Sequence, residues 1–325
     1  MTLSLDISMI KAAAERIHSD VVRTPTIRYR LHKNCELFLK AENLQPIGAF
    51  KIRGAFNMMR TLPMDCVGVV AHSSGNHAQA VAAAAKSLGI PATIVMPSNA
   101  PKLKKSRTEA AGANVITVGP DSEERKQMAA QLAEEQGLTP IPPYDHPLVA
   151  AGQGTAALEL HEDAPALDSF YAPVSGGGLM AGCATALKNL SPETTLVGVE
   201  PEEANDTYLS LKHGDRMCIS PPETIADGLR VRVPGQFTWS VLQSTLDRVD
   251  LVSDEEMLRV MGWACSHLRI VLEPSGAASL AAAMKNGVGR VGVLLSGGNV
   301  ESEMLRQAIS LYEQRGGLVE NRSSD

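Results

Sequence analysis

The sequence predicts an α/β fold in which parallel sheets are flanked by helices on both faces. Two observations lead there. Short apolar runs alternate with helix-like segments along most of the 325 residues. Aromatic residues make up only 4% while Ala, Val, Leu and Gly abound, a composition suited to helices packed closely on a sheet rather than to an all-β fold. The 44% hydrophobic content allows one large or two modest domains.

In chain order, 67–71 reads as a buried strand and the alanine-rich 76–88 as a helix. Residues 92–96 form a second strand, followed by a helix over about 102–111. Residues 114–118 and 122–136 repeat the unit. Such β-α repetition is the pattern of a parallel sheet. The run Thr139-Pro140-Ile141-Pro142-Pro143-Tyr144 interrupts it, and a crossing between domains is expected there. The alternation resumes with a helix over 149–162, a strand over 169–174, a helix over 179–190 and a strand over 195–199. Later elements are helices over 254–272 and 276–285 and a strand over 291–295. The polar tail 316–325 is expected to fray.

A formal net charge of −6 with interspersed signs is unsuited to nonspecific binding of nucleic acid or an anionic membrane. Cys35, Cys66, Cys183, Cys218 and Cys265 form neither a CxxC pair nor a Cys/His cluster, so reduced thiols are expected. Residues 1–10 lack the basic-then-apolar order of a signal peptide, and no apolar run is long enough to span a bilayer. A cytoplasmic location is the resulting expectation.

Ligands of a parallel α/β sheet bind where strands end and helices begin. Three such turns carry unusual residues. Ser73-Ser74-Gly75-Asn76-His77 follows the first strand, and its small residues at a helix start suit a carboxylate or phosphate as well as an ordinary N-cap. Val174-Ser175-Gly176-Gly177-Gly178-Leu179 has three consecutive glycines, which suit close backbone approach to a phosphate or a tight structural turn. Its spacing fits neither GxGxxG nor GxxxxGK[ST]. Leu295-Ser296-Gly297-Gly298-Asn299 reads equally as a site or an exposed turn. Lys51, between Phe50 and Ile52, would by itself be read as a lysine reaching solvent.

Taken together and in this order, the four segments resemble the fold-type-II pyridoxal-phosphate (PLP) enzymes, whose two-domain architecture is like that of the tryptophan synthase β subunit. The resemblance runs from Thr24 to Asn299 and is closer to serine racemases and hydroxyaspartate dehydratases than to threonine deaminases. It implies that Lys51 carries PLP as a Schiff base and that Phe50 packs beside the ring. Asn76 would bond the ring hydroxyl, and Ser175, Gly176, Gly177, Gly178 and Leu179 would hold the phosphate. Gly228 would lie against the ring and Ser296 would face the pyridine nitrogen. The family often has glycine at the place of Ser175 and serine at that of Ala49.

The resemblance also makes Ser74 a second acid/base on the ring face opposite Lys51. Ser73, Ser74, Gly75 and His77 would receive the substrate carboxylate. Arg125, assisted by His72, would meet a side-chain carboxylate, with Arg230 and Arg232 as further candidates. Glu200, Ala204 and Asp206 resemble a divalent-cation site for Mg2+, Ca2+ or Mn2+, which prefer hard oxygen ligands. Residues 1–68 with 145–325 would form the large PLP-binding domain and 69–144 a small mobile one. The stretch after Asn299 is too short for the effector domain of biosynthetic threonine deaminases, so isoleucine feedback of that type is not expected. The implied activity is elimination of water from L-serine, L-threonine or 3-hydroxyaspartate, giving a 2-oxo acid and ammonia. Serine or aspartate racemisation is the alternative, and cysteine-synthase-type β-replacement is more distant. A homodimer is a family expectation.

Overall fold

The structure, a computed structural model, describes residues 4–73, 75–100 and 102–314. Helix α1 (Ile7–Ile17) precedes an antiparallel hairpin of β1 (Thr26–His32) and β2 (Cys35–Lys40), and α2 (Lys51–Met59) follows. Then come β3 (Val69–His72), α3 (Asn76–Leu88), β4 (Ala92–Pro97), α4 (Lys102–Ala110), β5 (Asn114–Val118), α5 (Ser122–Gln136) and the short β6 (Thr139–Pro140). The chain continues through α6 (Pro147–Asp163), β7 (Ser169–Pro173), α7 (Gly178–Leu190), β8 (Thr195–Pro201), α8 (Asp206–His213) and α9 (Gln236–Thr245). It ends with β9 (Arg248–Val252), α10 (Asp254–Trp263), α11 (Pro274–Asn286), β10 (Gly289–Leu294) and α12 (Ser302–Gln314). The tail 316–325, expected to fray, lies outside the described residues.

Two sheets result. Six strands run in the order β1-β2-β10-β7-β8-β9, and four in the order β5-β4-β3-β6. Every pairing except β1 with β2 is parallel. The expected α/β architecture is therefore present, with one antiparallel edge strand added. Alternation along the central strands feeds two cores. Leu37, Leu39 and Tyr171 join the core under α10 and α11, whereas Phe38, Phe170 and Ala172 join the core under α6 and α7.

Two expectations are corrected. The helix foreseen over 254–272 stops at Trp263, continues as one π-helical turn (Ala264–Leu268), and ends where Arg269 adopts φ 62°. The proline-rich break contains a strand, because Thr139 and Ile141 donate to Gly68 and Val70 of the neighbouring segment at 2.9 and 2.8 Å. Pro140 between them has no N–H to give, and β6 is an edge strand, where proline is tolerated.

Helix α6 lies almost against its neighbours. A Cβ on Gly182 of α7 would sit 2.1 Å from the Ala150 carbonyl oxygen, and one on Gly152 would sit 2.7 Å from that of Arg53. Between α2, α6 and β2 lies an ionic cluster in which Arg53, Glu42 and Lys40 are fully buried and Glu159 largely so. Arg53 donates to both oxygens of Glu42 at 2.7 and 2.8 Å and to both oxygens of Glu159 at 2.7 and 2.8 Å. Lys40 completes it, 2.6 Å from Glu159. Burial is the largest single influence and raises the Glu42 pKa, but the Arg53 charge, the hydrogen bonds from Arg53 and Thr24, and the Lys40 charge together outweigh it and leave the carboxyl below its usual range.

Replacing Arg53 by Met strands the Glu42 charge in a dry interior. That should cost about 3–5 kcal/mol of unfolding free energy, read from urea denaturation. A loss below about 1 kcal/mol would mean that the cluster relaxes by admitting water.

Candidate active site

The C-terminal ends of β3, β7, β8 and β10 carry the turns 73–76, 174–178, 202–206 and 295–299. Because β10 lies beside β7 and β7 beside β8, three of these turns are neighbours on one sheet edge. The segment leading into α2 is laced to the last of them. Phe50 N–H donates to the Ser296 carbonyl at 3.0 Å, Gly298 N–H donates to that of Gly48 at 2.9 Å, and Ala49 bridges Gly297. Gly48 has φ +73°, and a Cβ there would meet the Asn299 amide oxygen at 2.6 Å. Glycine is required on both counts.

Lys51 opens α2, and its amine donates to the Pro143 carbonyl at 2.6 Å and lies 5.2 Å from the Phe50 ring centroid. Burial lowers its pKa to about 8, because the charged ammonium loses hydration. The next residue, Tyr144, packs on the glycine turn. A Cβ on Gly176 would meet the Tyr144 ring at 2.3 Å, and one on Gly178 would meet the Tyr144 carbonyl oxygen at 2.8 Å. Lysine and turn are therefore joined through two consecutive residues.

The turn is built for an anion. Gly177 sits at φ +91° as the N-cap of α7. The Gly176 carbonyl is turned away, accepting from the Thr238 hydroxyl at 2.6 Å and from Gly235 N–H at 3.3 Å. The Ser175 hydroxyl accepts from Val231 N–H at 3.2 Å. This arrangement leaves the first N–H groups of α7, including that of Leu179, for a ligand. Asp145 supports the turn from behind by accepting from Gln236 N–H at 3.0 Å and Thr238 N–H at 3.1 Å, which caps α9.

Asn76 is fixed from both sides. Its amide donates to Glu273 at 2.6 Å, and its carbonyl oxygen accepts from Asn299 at 2.8 Å. The Ser296 hydroxyl, nearly fully buried, lies 3.5 Å from the Ser275 carbonyl oxygen. The Ser275 hydroxyl in turn accepts from Gly228 N–H at 3.0 Å. Lys51, Asn76, Ser296, Gly228 and the glycine turn are thus linked by hydrogen bonds and packing into one constellation.

His77 is buried, and its Nε2 meets the Ile141 carbonyl at 2.9 Å. A carbonyl can only accept, so Nε2 carries the proton. Burial, then the Lys51 charge, lowers the His77 pKa to about 3, so the ring stays neutral. The Nε2–H of the ring is thereby occupied. The Ser73 hydroxyl accepts from Gly75 N–H at 3.2 Å. Ser74 lies outside the described residues.

Arg125 on α5 keeps a buried Nε without a hydrogen-bond partner. Its charge, together with burial as the larger cause, lowers the pKa of His72, which places the two groups near each other. Arg230 and Arg232 instead bond the backbone carbonyls of Thr224 and Ile219 at 2.8 and 3.0 Å, and their guanidinium groups are engaged there.

At the end of β8, Glu200 is fully buried and accepts from Thr207 N–H at 3.0 Å and Tyr208 N–H at 2.8 Å. Burial pushes its pKa up to about 7. Asp206 is also fully buried, and neither of its carboxyl oxygens has a partner. Burial and then Glu200 raise its pKa to about 9. Ala204 is buried in the same loop. Two carboxyls packed together, one of them with both oxygens bare, are unstable as a pair of anions unless a cation joins them.

Sequence reasoning missed Tyr144, Asp145 and Glu273. The first two follow the proline run, which was read only as a crossing. Glu273 has no motif around it.

The fold and this site define a PLP-dependent enzyme. Residues 17–297 match the family model described as "Pyridoxal-phosphate dependent enzyme", and the chain belongs to that family. It is 42% identical over 307 residues to the L-threo-3-hydroxyaspartate ammonia-lyase of Saccharomyces cerevisiae, covering 92% of this chain and 94% of that one. It is also 42% identical over 312 residues to the serine racemase of Schizosaccharomyces pombe, covering 93% and 96%. The structure of maize serine racemase superposes with a TM-score of 0.89 at 37% identity, covering 96% of this chain and 99% of that one.

The site fits PLP. The glycine turn presents backbone where any Cβ would clash, and the desolvated lysine amine is tied to the residue preceding the one on that turn. At pH 7.5 a lysine of pKa about 8 is about one-quarter neutral, against about one part in a thousand for an ordinary lysine. The rate at which apo-protein captures PLP, followed by growth of the visible band, should rise with pH and level off just above 8. A rate still climbing towards pH 10 would contradict the desolvated amine.

Proposed function

We propose that this chain is a PLP-dependent ammonia-lyase that eliminates water from a small hydroxy-amino acid, giving a 2-oxo acid and ammonia. The observation that carries the reading is the desolvated Lys51 amine, held at the Pro143 carbonyl beside the glycine turn. Bound PLP supplies an electron sink for the pair left behind when a substrate α proton departs. Lys51, Phe50, Asn76, Gly228, Ser296 and residues 175–179 would hold it.

The neutral fraction of Lys51 gives this chain a base for the α proton. Ser296 is a hydroxyl and places no negative charge at its end of the site, so it supports a weaker sink than a carboxylate would. A weak sink suits a substrate whose β-hydroxyl departs promptly. The N–H groups at the start of α3 are positioned for the substrate carboxylate. Residues 69–144 act as the mobile unit that closes over it.

Among L-serine, L-threonine and 3-hydroxyaspartate, the partnerless Arg125 Nε favours the substrate with a second carboxylate. A ~42% identity to a hydroxyaspartate ammonia-lyase supports the same choice. Racemisation is the second reading, favoured by equal identity to a serine racemase. In it, Ser74 returns a proton from the face opposite Lys51.

The test is a panel of L-serine, D-serine, L-threonine and the 3-hydroxyaspartate diastereomers, scored for oxo-acid release and for chirality. Oxo acid from a 3-hydroxyaspartate is the expected result, with none from Lys51→Ala. Arg125→Met should lower kcat/KM for hydroxyaspartate about 10- to 100-fold more than for serine, the worth of a hydrogen bond to a charged group. Equal losses on the two substrates would remove Arg125 from the substrate site. Product from Lys51→Ala would remove Lys51 from the mechanism.

Glu200, Asp206 and the Ala204 carbonyl would hold a divalent cation of the Mg2+, Ca2+ or Mn2+ kind. Chelation by EDTA should lower the melting temperature, and added Mg2+ should restore it. Asp206→Asn removes a ligand oxygen that can carry charge, and its melting temperature should ignore both treatments. An unchanged response to chelator in this variant would place the cation elsewhere.

A further inference from the structure

Glu273 is 2% exposed and is the N-cap residue of α11, yet its side chain makes no capping bond there. It points across to α3 instead, where one oxygen, Oε1, accepts from the Asn76 amide at 2.6 Å. The same oxygen leaves no room at Gly297, where a Cβ would fall 2.2 Å from it. Backbone holds the geometry, since Glu273 N–H donates to the Gly297 carbonyl at 3.1 Å. The other oxygen, Oε2, is buried without a hydrogen-bond partner.

The charged groups around this carboxyl come from two further elements. Asp227 lies in the short turn Asp227–Leu229, and Lys104 comes from α4 and pairs with Asp227. Asn76 and the Asn299 N–H are its neutral neighbours. Lys104 is thus committed to a second carboxylate, and burial outweighs it. An ionised Glu273 would have a bare oxygen in a dry interior beside a like charge, which is costly.

We propose that Glu273 is a proton-carrying positioning residue of the cofactor site. Its Oε1 sets the direction of the Asn76 amide, and its Oε2 holds an exchangeable proton that governs the charge felt there. Asn76 has two N–H groups, and Glu273 takes one. The other remains for the cofactor, with its direction set by Glu273 on one side and Asn299 on the other. When the proton leaves, the Asn76 bond becomes charge-assisted and stronger, and a negative charge appears next to Asn76. The proposal rests on the reading that PLP occupies this site.

The test is a pH titration, from 6 to 9, of the visible absorbance of the holoenzyme, without substrate. The parent should show a spectral transition with its midpoint at about 7. Glu273→Gln keeps the acceptor oxygen but cannot ionise, so that transition should vanish. Asp227→Asn removes the neighbouring negative charge and should move the midpoint to lower pH. A variant that merely loosened packing would lower the melting temperature without displacing the midpoint. A parent without the transition, an unchanged titration in Glu273→Gln, or a fixed midpoint in Asp227→Asn overturns the inference. Should Glu273→Gln fail to fold, Asp227→Asn decides alone. Absence of any visible band in the parent would instead refute PLP binding.

Discussion

The hydrogen bond from the Lys51 amine to the Pro143 carbonyl organises this molecule. It joins the first turn of α2 to the segment where the chain passes from the four-stranded sheet into α6. Three consecutive residues of that segment touch three different parts of the site. Pro143 receives the lysine, Tyr144 lies on Gly176 and Gly178, and Asp145 caps α9, whose Thr238 holds the Gly176 carbonyl. A displacement of this strand of chain would move the amine and the anion cradle together. Their spacing is therefore set by backbone connectivity rather than by independent side-chain packing.

Two groups of buried charges flank this centre, and they differ in kind. In the cluster around Arg53, each carboxylate oxygen of Glu42 and Glu159 meets a guanidinium donor, and the two cations balance the two anions. Such a cluster locks α2 to α6. At Glu200 and Asp206 there are two carboxyls and no matching side-chain cation in hydrogen-bond contact among the described residues. The first group is complete as a protein structure, whereas the second is complete only with a proton or a metal ion. The difference in hydrogen-bond satisfaction, not the number of charges, separates a structural cluster from a binding one.

Much of this was legible in the sequence, for a physical reason. Glycine runs at strand-to-helix junctions are expensive unless backbone must approach something, so 176–178 and 297–298 stood out. The alanine-rich 76–88 reads as a helix and 114–118 as the next strand of the β-α alternation, and both boundaries agree with the structure. Other elements left weak signals. The β1–β2 hairpin turns through Lys33-Asn34, without the Asn-Gly or Asp-Gly pair that marks such turns. No glycine or proline stands at 264–269 to announce that the helix ends there, and the bend instead relies on Arg269 at positive φ. Tyr144 and Glu273 act through contacts more than 30 residues away in sequence, to Gly176 and Asn76, and local pattern cannot report such contacts.

The site controls its protons by desolvation, and this ties chemistry to packing. Lys51, His77 and Glu273 are all shifted towards their neutral forms with burial as the largest cause. A neutral His77 avoids placing a second positive charge near the Lys51 amine, and the Lys51 charge is one of the causes that keep the ring neutral. Each of the two buried side chains rests on one backbone carbonyl of the segment after β6: Pro143 against the amine and Ile141 against the imidazole. Were the cover at Pro143 lost, water would reach the amine and its pKa would return towards that of an ordinary lysine. The base is then protonated and idle. Packing at Pro143 therefore does more than exclude solvent, because burial of the amine is what supplies the basicity that the reaction needs.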